Sequence, residues 1–304
     1  MIDIRTESKG YVAHGVSACA GCGMELIIRN VLDVLGQDTT LVIPPGCSAL
    51  FCGFGCETGI KVSAFQGNLE NSAAIATGIR AGYAVQGNDH THVVAFAGDG
   101  ATLDIGLQSL SGMMERGEDV LYICYDNEAY MNTGIQGSSA TPVGAWTTTT
   151  PGGKSVCKKD LLGIAMAHGI PYCASASIAN IPDLRKKVQK AKDIRGPRLL
   201  HIFCPCPTGW GYEPAKSVEV ARLAVQTGAW VLYECEEGKV RVTVKPKELK
   251  PLGEYLKLQK RFKGITEEEQ KQLAAAISQQ TAEIQQILEA LAGQLGGSSG
   301  AYGL

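Results

Sequence analysis

The sequence predicts an α/β fold built on a doubly wound, mostly parallel sheet. Strand-like and helix-like segments alternate along most of the 304 residues, which is the pattern of a parallel sheet covered by helices on both faces. The clearest strands, Val93–Ala97, Val120–Tyr125 and Arg198–Phe203, are mostly apolar runs, as expected of strands buried on both faces. Glycine-rich or polar residues follow several of these strands, at the edge where such sheets bind ligands.

Composition excludes several classes of protein. The net charge is −2 without any basic run, so nothing indicates a nucleic-acid partner. The longest apolar stretches are of strand length, and none approaches a membrane span. The first ten residues have no apolar core of a signal peptide. We therefore expect a cytoplasmic protein with no membrane partner.

The amino-terminal part begins with a glycine-punctuated loop that precedes the first helix. The broad apolar face of that helix ends at Gly36, a residue typical of helix C-termini. We expect, in chain order, a loop at 11–23, a helix from Met24 to about Leu35, a strand at Thr40–Ile43, an irregular segment at 48–68 and a helix at about 70–86.

The central unit runs from Val93 to Gln136 and organises the rest of the chain. Its first strand ends in Gly98-Asp99-Gly100, a helix from about Leu103 to Arg116 makes the crossover, and the second strand ends in Asp126-Asn127. A long Ser/Thr/Gly/Pro loop at 137–157 follows, and a loop of that length is typical of a functional segment or an interface.

The carboxyl-terminal half continues the alternation and then changes character. The expected elements are a helix at 160–168, a strand at 171–174, a helix at 181–194, a strand at 198–203, a helix at 214–227, a hairpin at 230–244, a basic irregular segment at 245–263, a helix at 265–292 and a mobile glycine-rich tail at 293–304. We therefore expect a domain of residues 1–262 and a C-terminal helical extension of residues 263–304.

The central unit carries a pattern suited to a cation and a diphosphate. Asp99 and Asn127 follow two buried strands and offer a carboxylate and an amide oxygen, which are ligands that Mg²⁺ accepts. Gly98 and Gly100 let backbone N–H groups approach phosphate oxygens at the start of a helix. Asp between glycines is also ordinary turn chemistry, so the indication depends on the pairing with Asn127.

Eleven cysteines are many for a reducing compartment, where a disulfide framework is not expected. The Cys19-x-x-Cys22 pair lies in a glycine-rich loop, and Cys47 with Cys204 or Cys206 would complete a set of four. Four thiolates suit zinc or a [4Fe–4S] cluster equally. Cys124 and Cys173 lie in apolar strands and are expected to be core residues. Cys52 and Cys56 are expected to be neighbours of this region or parts of a second metal site.

Several motifs together resemble a known family. They are CAGCG at 19–23, GCS at 46–48, GDG at 98–100, YDNEAYMNTGIQ at 125–136, ATPVGAWTTTT at 140–150 and PCPTGW at 205–210. In this order they resemble the thiamine-diphosphate-binding β subunit of the 2-oxoacid:ferredoxin oxidoreductases, with the pyruvate synthase type nearest. The likeness covers roughly residues 10–262, and it implies the thiamine-diphosphate-binding fold.

The resemblance also implies which residues bind cofactors. Cys19, Cys22, Cys47 and Cys206 would hold a [4Fe–4S] cluster, and Asp99, Asn127 and the carbonyl of Ala129 would hold Mg²⁺. Asn132 is the candidate catalytic residue, in contact with diphosphate or substrate. The cofactor-binding set is Gly46, Gly98, Asp99, Gly100, Ala101, Asn127, Ala129, Asn132, Thr133 and Gln136.

The activity implied by the resemblance is oxidative decarboxylation of a 2-oxoacid to acyl-CoA and CO₂, with electrons passing to ferredoxin. Pyruvate is the first choice of substrate. Gly137 stands where related enzymes often carry a basic residue. The alternative substrate is therefore a branched-chain 2-oxoacid, an aryl 2-oxoacid such as phenylglyoxylate, 2-oxoglutarate or oxalate. A non-redox thiamine lyase is the alternative activity. The implied partners are a pyrimidine-binding α subunit, γ/δ-type subunits including a ferredoxin-like iron–sulfur subunit, coenzyme A and ferredoxin.

Overall fold

The computed structural model describes residues 9–53 and 58–296. The strands are β1 (Thr39–Ile43), β2 (Ser63–Gln66), β3 (His92–Gly98), β4 (Leu121–Asp126), β5 (Tyr172–Ser177), β6 (Arg198–Phe203), β7 (Leu232–Glu236) and β8 (Lys239–Val244). Within the described residues they form an eight-stranded sheet with the order β2-β1-β3-β4-β6-β5-β7-β8. The first six strands in this order, which end with β5, run parallel to one another. At the other edge, β7 pairs antiparallel with both β5 and β8.

Helices cover both faces of the sheet. They are α1 (Gly23–Leu35), α2 (Ala49–Cys52), α3 (Ser72–Val85), α4 (Leu107–Glu115), α5 (Leu161–Ala167), α6 (Ile181–Asp193), α7 (Pro207–Trp210), α8 (Ser217–Gln226), α9 (Leu252–Leu256) and α10 (Glu267–Gly296). One apolar core joins α1, α6 and α8 to one face of the sheet, and a second core joins α3, α4 and α5 to the other. Alternate residues of β3 enter the two cores, Val94 and Phe96 the first and Val93 and Ala95 the second. The predicted doubly wound, mostly parallel α/β fold is therefore confirmed.

Some segments predicted to be irregular contain regular structure. The 48–68 segment includes α2 and the edge strand β2, whose four residues are all exposed and so lack the apolar pattern that marks a buried strand. The crossover helix predicted from Leu103 begins instead with a π-helical turn at Gly100–Asp104, before α4. The basic segment 245–263 contains α9 and a 3₁₀ turn at Lys260–Phe262.

The carboxyl-terminal helix α10 packs against the rest of the chain through part of its length. Leu273 is buried in the first core and Ile284 in the second. The helix extends to Gly296, beyond the predicted end, and residues 297–304 of the predicted mobile tail lie outside the described residues. Among the helices described, none has the length and apolar character needed to cross a membrane.

Candidate cofactor and metal site

The ends of four neighbouring parallel strands carry the polar segments singled out in the sequence. Strands β1, β3, β4 and β6 are adjacent in the sheet and point the same way. Gly46-Cys47 lies beyond β1, Asp99 directly follows β3, Asn127 follows β4, and Cys204–Cys206 follows β6. The predicted meeting of these segments at one edge of the sheet is confirmed.

A cavity of about 130 Å³ opens between the ends of β1, β3 and β4. All members of the predicted cofactor-binding set except Gln136 line this cavity, and Pro45, Cys47, Leu69, Tyr125, Tyr130 and Met131 complete its wall. Gln136 instead closes the loop at 133–136, because its side chain forms hydrogen bonds of 2.6 and 2.9 Å with Thr133. The cavity therefore brings together nearly all of the predicted cofactor-binding residues.

Asp99 is a buried carboxylate with few partners for its charge. The Ser138 hydroxyl donates a hydrogen bond of 2.5 Å to its Oδ2 atom. Burial, and then the negative charge of Asp126, raise the pKa of Asp99 well above its ordinary value. A cation bound at its other oxygen would remove this cost, so the donor chemistry fits a divalent metal ion.

Three polar groups converge at this corner of the cavity, the Asp99 carboxylate, the Asn127 amide and the Ala129 carbonyl. The Asn127 amide satisfies its hydrogen bonds with its NH₂ group facing the site, where it donates to Asp99 Oδ1 at 3.0 Å and to the carbonyl oxygen of Ala129 at 2.8 Å. With the amide turned by 180°, its oxygen would face the other two oxygens at the same distances. Adjacent oxygens around an octahedral Mg²⁺ at 2.0–2.1 Å are separated by about 3 Å. In that orientation, the three oxygens would fit a cation between them.

The four cysteines predicted as cluster ligands lie near this cavity. Burial and then the neighbouring thiols of Cys206, Cys22 and Cys19 raise the pKa of Cys47 to about 12, so these sulfurs influence one another electrostatically. Cys206 is the N-cap residue of α7, and its sulfur accepts a hydrogen bond from the N–H of Gly209 at 3.3 Å. Among residues 9–53 and 58–296, no three Cys, His, Asp or Glu side chains are already grouped around one point as ligands of a single metal ion.

Cys204 lies beside the same group. It is fully buried, and its thiol donates a hydrogen bond to the Cys22 sulfur, which lowers the pKa of Cys22 to about 7. Cys124 and Cys173 are buried in strands, as predicted for core residues. Cys52 is half-buried at the end of α2, and Cys56, its partner in the alternative second metal site, lies outside the described residues.

Comparisons with known proteins identify the family of this chain. The profile of the family described as "Thiamine pyrophosphate enzyme, C-terminal TPP binding domain" matches residues 45–202. The pyruvate synthase subunit PorB of Methanothermobacter marburgensis is 50% identical over 264 residues, which cover 85% of this chain and 92% of that protein. This chain belongs to the thiamine-diphosphate-binding β subunits of the 2-oxoacid:ferredoxin oxidoreductases.

Members of this oxidoreductase family with a different named substrate are almost equally similar. The ketoisovalerate oxidoreductase subunit VorB of Pyrococcus furiosus is 49% identical over 280 residues, which cover 88% of this chain and 89% of that protein. The fold resembles a chain of the 2-oxoglutarate:ferredoxin oxidoreductase from Magnetococcus marinus, with a TM-score of 0.58 at 19% identity over 73% of this chain and 84% of that one. The predicted family and fold are confirmed.

A buried group of charged residues behind the cavity of this β subunit was missed by the sequence analysis. Asp126 accepts from Lys158 at 3.0 Å and lies 2.8 Å from His201 Nε2. Burial alone would raise the pKa of Asp126, but the Lys158 charge and the contact with His201 outweigh it and lower the pKa to about 2. Glu128 pairs with both Lys158 and Arg261. Asp126 and Glu128 are neighbours in the sequence, but the residues that pair with them, Lys158, His201 and Arg261, are 30 to 133 residues away. No periodic pattern connects these partners, so no sequence signal identifies the group.

Trp210 connects the PCPTGW motif to the central unit. The side chain is fully buried, and its indole N–H donates a 2.9 Å hydrogen bond to the carbonyl oxygen of Asn127. The PCPTGW motif of this family therefore contacts the loop that carries the candidate metal ligands. Only the Cys206 end of that motif was singled out from the sequence.

Proposed function

We propose that this chain binds thiamine diphosphate, Mg²⁺ and a [4Fe–4S] cluster in a complex that oxidatively decarboxylates a 2-oxoacid, pyruvate first, to acyl-CoA and CO₂. The observation that carries the proposal is the convergence of the Asp99 carboxylate, the Asn127 amide and the Ala129 carbonyl at the wall of a cavity. Electrons leave through the cluster to ferredoxin. The partners are a pyrimidine-binding α subunit and γ/δ-type subunits, one of them a ferredoxin-like iron–sulfur protein.

The residues of this chain have separable tasks in the proposed reaction. The Asp99 carboxylate, the Asn127 amide oxygen and the Ala129 carbonyl would hold Mg²⁺, and the main-chain N–H groups around Gly98 and Gly100, which line the same cavity, would bind the diphosphate. Asn132 and Thr133 line the same cavity and contact diphosphate or substrate. When bound, thiamine diphosphate supplies an electron sink for decarboxylation, and the cluster accepts electrons singly.

The contacts of Tyr125 support a cluster ligand next to the proposed thiamine site. The Tyr125 hydroxyl donates to Ser48 Oγ at 3.0 Å and accepts the Ser48 N–H at 3.2 Å. This side chain at the end of β4 thereby fixes the Gly46-Cys47-Ser48 turn beside the cavity. A cluster ligand at Cys47 would then lie on the wall of the thiamine site, as single-electron transfer between the two requires.

We expect the full chain, purified anaerobically and loaded with iron and sulfide, to absorb broadly in the visible range and to bleach with dithionite. Replacing Cys19, Cys22, Cys47 or Cys206 by Ser should abolish that absorption, because each removes one thiolate ligand. Cys204→Ser and the exposed Cys157→Ser should retain it. A colourless protein with one zinc ion per chain would contradict the cluster, and loss of colour in Cys204→Ser alone would move the fourth ligand from Cys206.

The whole complex should oxidise pyruvate with a kcat/KM at least about tenfold above that for the other 2-oxoacids. The reason is that the pocket must accommodate each substituent that a larger 2-oxoacid carries in place of the pyruvate methyl group. The measurement is anaerobic reduction of a viologen with pyruvate, 2-oxoisovalerate, 2-oxoglutarate, phenylglyoxylate and oxalate. Preference for another acid would select that alternative substrate.

The same assay distinguishes the proposed function from the non-redox lyase and tests whether the partners are needed. Aldehyde release without viologen reduction would indicate a non-redox lyase. The cluster-loaded chain without partners should be inactive, because the carboxylate that contacts the aminopyrimidine ring is expected on the α subunit. Activity of the isolated chain would contradict that division of the site.

A further inference from the structure

Glu128 occupies a constrained position between two candidate metal ligands. It lies between Asn127, which offers its amide oxygen, and Ala129, which offers its carbonyl oxygen. Its φ angle is +65°, in the left-handed region that non-glycine residues rarely adopt. Its side chain is buried. A residue in this conformation persists only when its surroundings hold it there.

Four contacts hold Glu128 in place. Its carboxylate accepts from Lys158 Nζ at 2.8 Å and from Arg261 Nη2 at 2.5 Å. Its N–H donates to Asp126 Oδ1 at 2.9 Å, and its carbonyl oxygen accepts from the Thr141 hydroxyl at 2.6 Å. Both ends of the residue are therefore fixed, and the direction of the flanking oxygens depends on these contacts.

Arg261 contacts the loop at 127–129 directly, through Glu128, and indirectly, through Trp210. Its guanidinium group pairs with Glu128 and also stacks on Trp210, with 3.7 Å between the guanidinium carbon and the ring centroid. Trp210 in turn donates to the carbonyl oxygen of Asn127. The Gln259 amide oxygen accepts from Arg261 Nε at 2.9 Å, which orients the planar group between the two contacts.

The charge balance behind the loop also depends on Arg261. Asp126 and Glu128 are two buried carboxylates, and Lys158 contacts both of them. Without Arg261, they would share Lys158 and the His201 contact. Neither Glu128 nor Arg261 lines the 130 Å³ cavity, so neither touches a diphosphate there.

We infer that Arg261 is a positioning residue for the metal site, which sets the Asn127 and Ala129 oxygens by holding Glu128 and Trp210. This inference rests on the proposed function, because it concerns the same cation. It assigns the segment that links the sheet to α10 a part in cofactor binding. Losing an outer hydrogen-bonding partner of a metal ligand commonly costs 10–100-fold in metal affinity or activity.

The test uses the whole complex, stripped of Mg²⁺ and thiamine diphosphate by chelation and then titrated. Arg261→Met should raise the half-activating Mg²⁺ concentration about tenfold or more, with kcat at saturating Mg²⁺ within about threefold of the parent value. Isothermal titration calorimetry of thiamine diphosphate into the stripped complex should show the same shift in the Mg²⁺ concentration needed for half-maximal binding. Glu128→Gln conserves volume and should give a shift in the same direction. In the double variant the shift should be smaller than the two single effects combined, because the two groups contact each other.

Lys263→Met is the matched control, since it removes a positive charge from an exposed side chain next to the same turn. It should leave the Mg²⁺ titration unchanged. Half-activating Mg²⁺ concentrations within twofold of the parent in both Arg261→Met and Glu128→Gln would overturn the inference and show that Arg261 only packs. A parent complex whose activity survives removal of Mg²⁺ and thiamine diphosphate would instead overturn the proposed function.

Discussion

Replacing Asp99 by Asn is expected to lower 2-oxoacid oxidation by the complex at least about a hundredfold. Losing an outer partner of a metal ligand already costs 10–100-fold, and this change removes the charge of a direct ligand. Thiamine diphosphate should no longer bind in a Mg²⁺-dependent way. Isothermal titration calorimetry of the cofactor-free complex, with and without Mg²⁺, measures this directly.

The same substitution should not destabilise the cofactor-free chain. Burial and the nearby Asp126 already raise the pKa of Asp99, so a neutral amide of similar volume removes a cost. Thermal unfolding of the Asp99→Asn chain should therefore occur at the parent temperature or higher. Asp89→Asn, at an exposed position, is the control. Wild-type Mg²⁺ activation in Asp99→Asn would exclude Asp99 as a metal ligand.

Gly100→Ala is expected to weaken thiamine diphosphate binding about tenfold or more and to destabilise the chain by about 1–3 kcal/mol, the usual cost of overpacking. A Cβ atom at Gly100 would lie 2.3 Å from Cε1 and 2.5 Å from Cζ of Tyr130. The ring must then move, although its hydroxyl donates to the Gly100 carbonyl oxygen at 3.1 Å and the ring lines the cavity. Cofactor titration of the complex and thermal unfolding of the chain give the two effects.

Two further variants identify the cause of the Gly100→Ala effect. Gly100→Ala/Tyr130→Ala should recover most of the lost stability, because the clashing ring is absent. Gly78→Ala introduces the same methyl group on α3, where no atom lies within 4 Å, and should stabilise the chain slightly through helix propensity. Equal losses in Gly78→Ala and Gly100→Ala would show that the clash with Tyr130 is not responsible.

The strands that position the site could be predicted because their sequences carry the signal of burial. β3 and β4 are buried along almost their full length, and their apolar runs reflect this. The residues that follow them, Asp99 and Asn127, could be placed together since ends of adjacent parallel strands meet at one edge. By contrast, β2 pairs with β1 through its main chain while all four of its side chains are exposed.

The contacts that hold the candidate metal-binding loop at 127–129 could not be predicted, because they come from segments distant in the sequence. Arg261 is 133 residues from Glu128 and lies in a segment that was expected to be irregular. Its charge resembles that of the surrounding exposed lysines, and only burial distinguishes it. The choice between Cys204 and Cys206 as a cluster ligand could not be made from the sequence either, since both follow β6 closely and only Pro205 separates them.

The orientation of the Asn127 amide has a consequence for cofactor binding at the proposed site. Its inward NH₂ group donates to Asp99 and to the carbonyl oxygen of Ala129. If Mg²⁺ binds as proposed, the amide must turn by 180° and both hydrogen bonds must break, at a cost of about 2 kcal/mol. A hydrated ion alone would bring little to offset that cost, whereas an ion bound to a diphosphate would bring further contacts at the glycine turn. We therefore expect Mg²⁺ to bind together with a diphosphate more readily than alone.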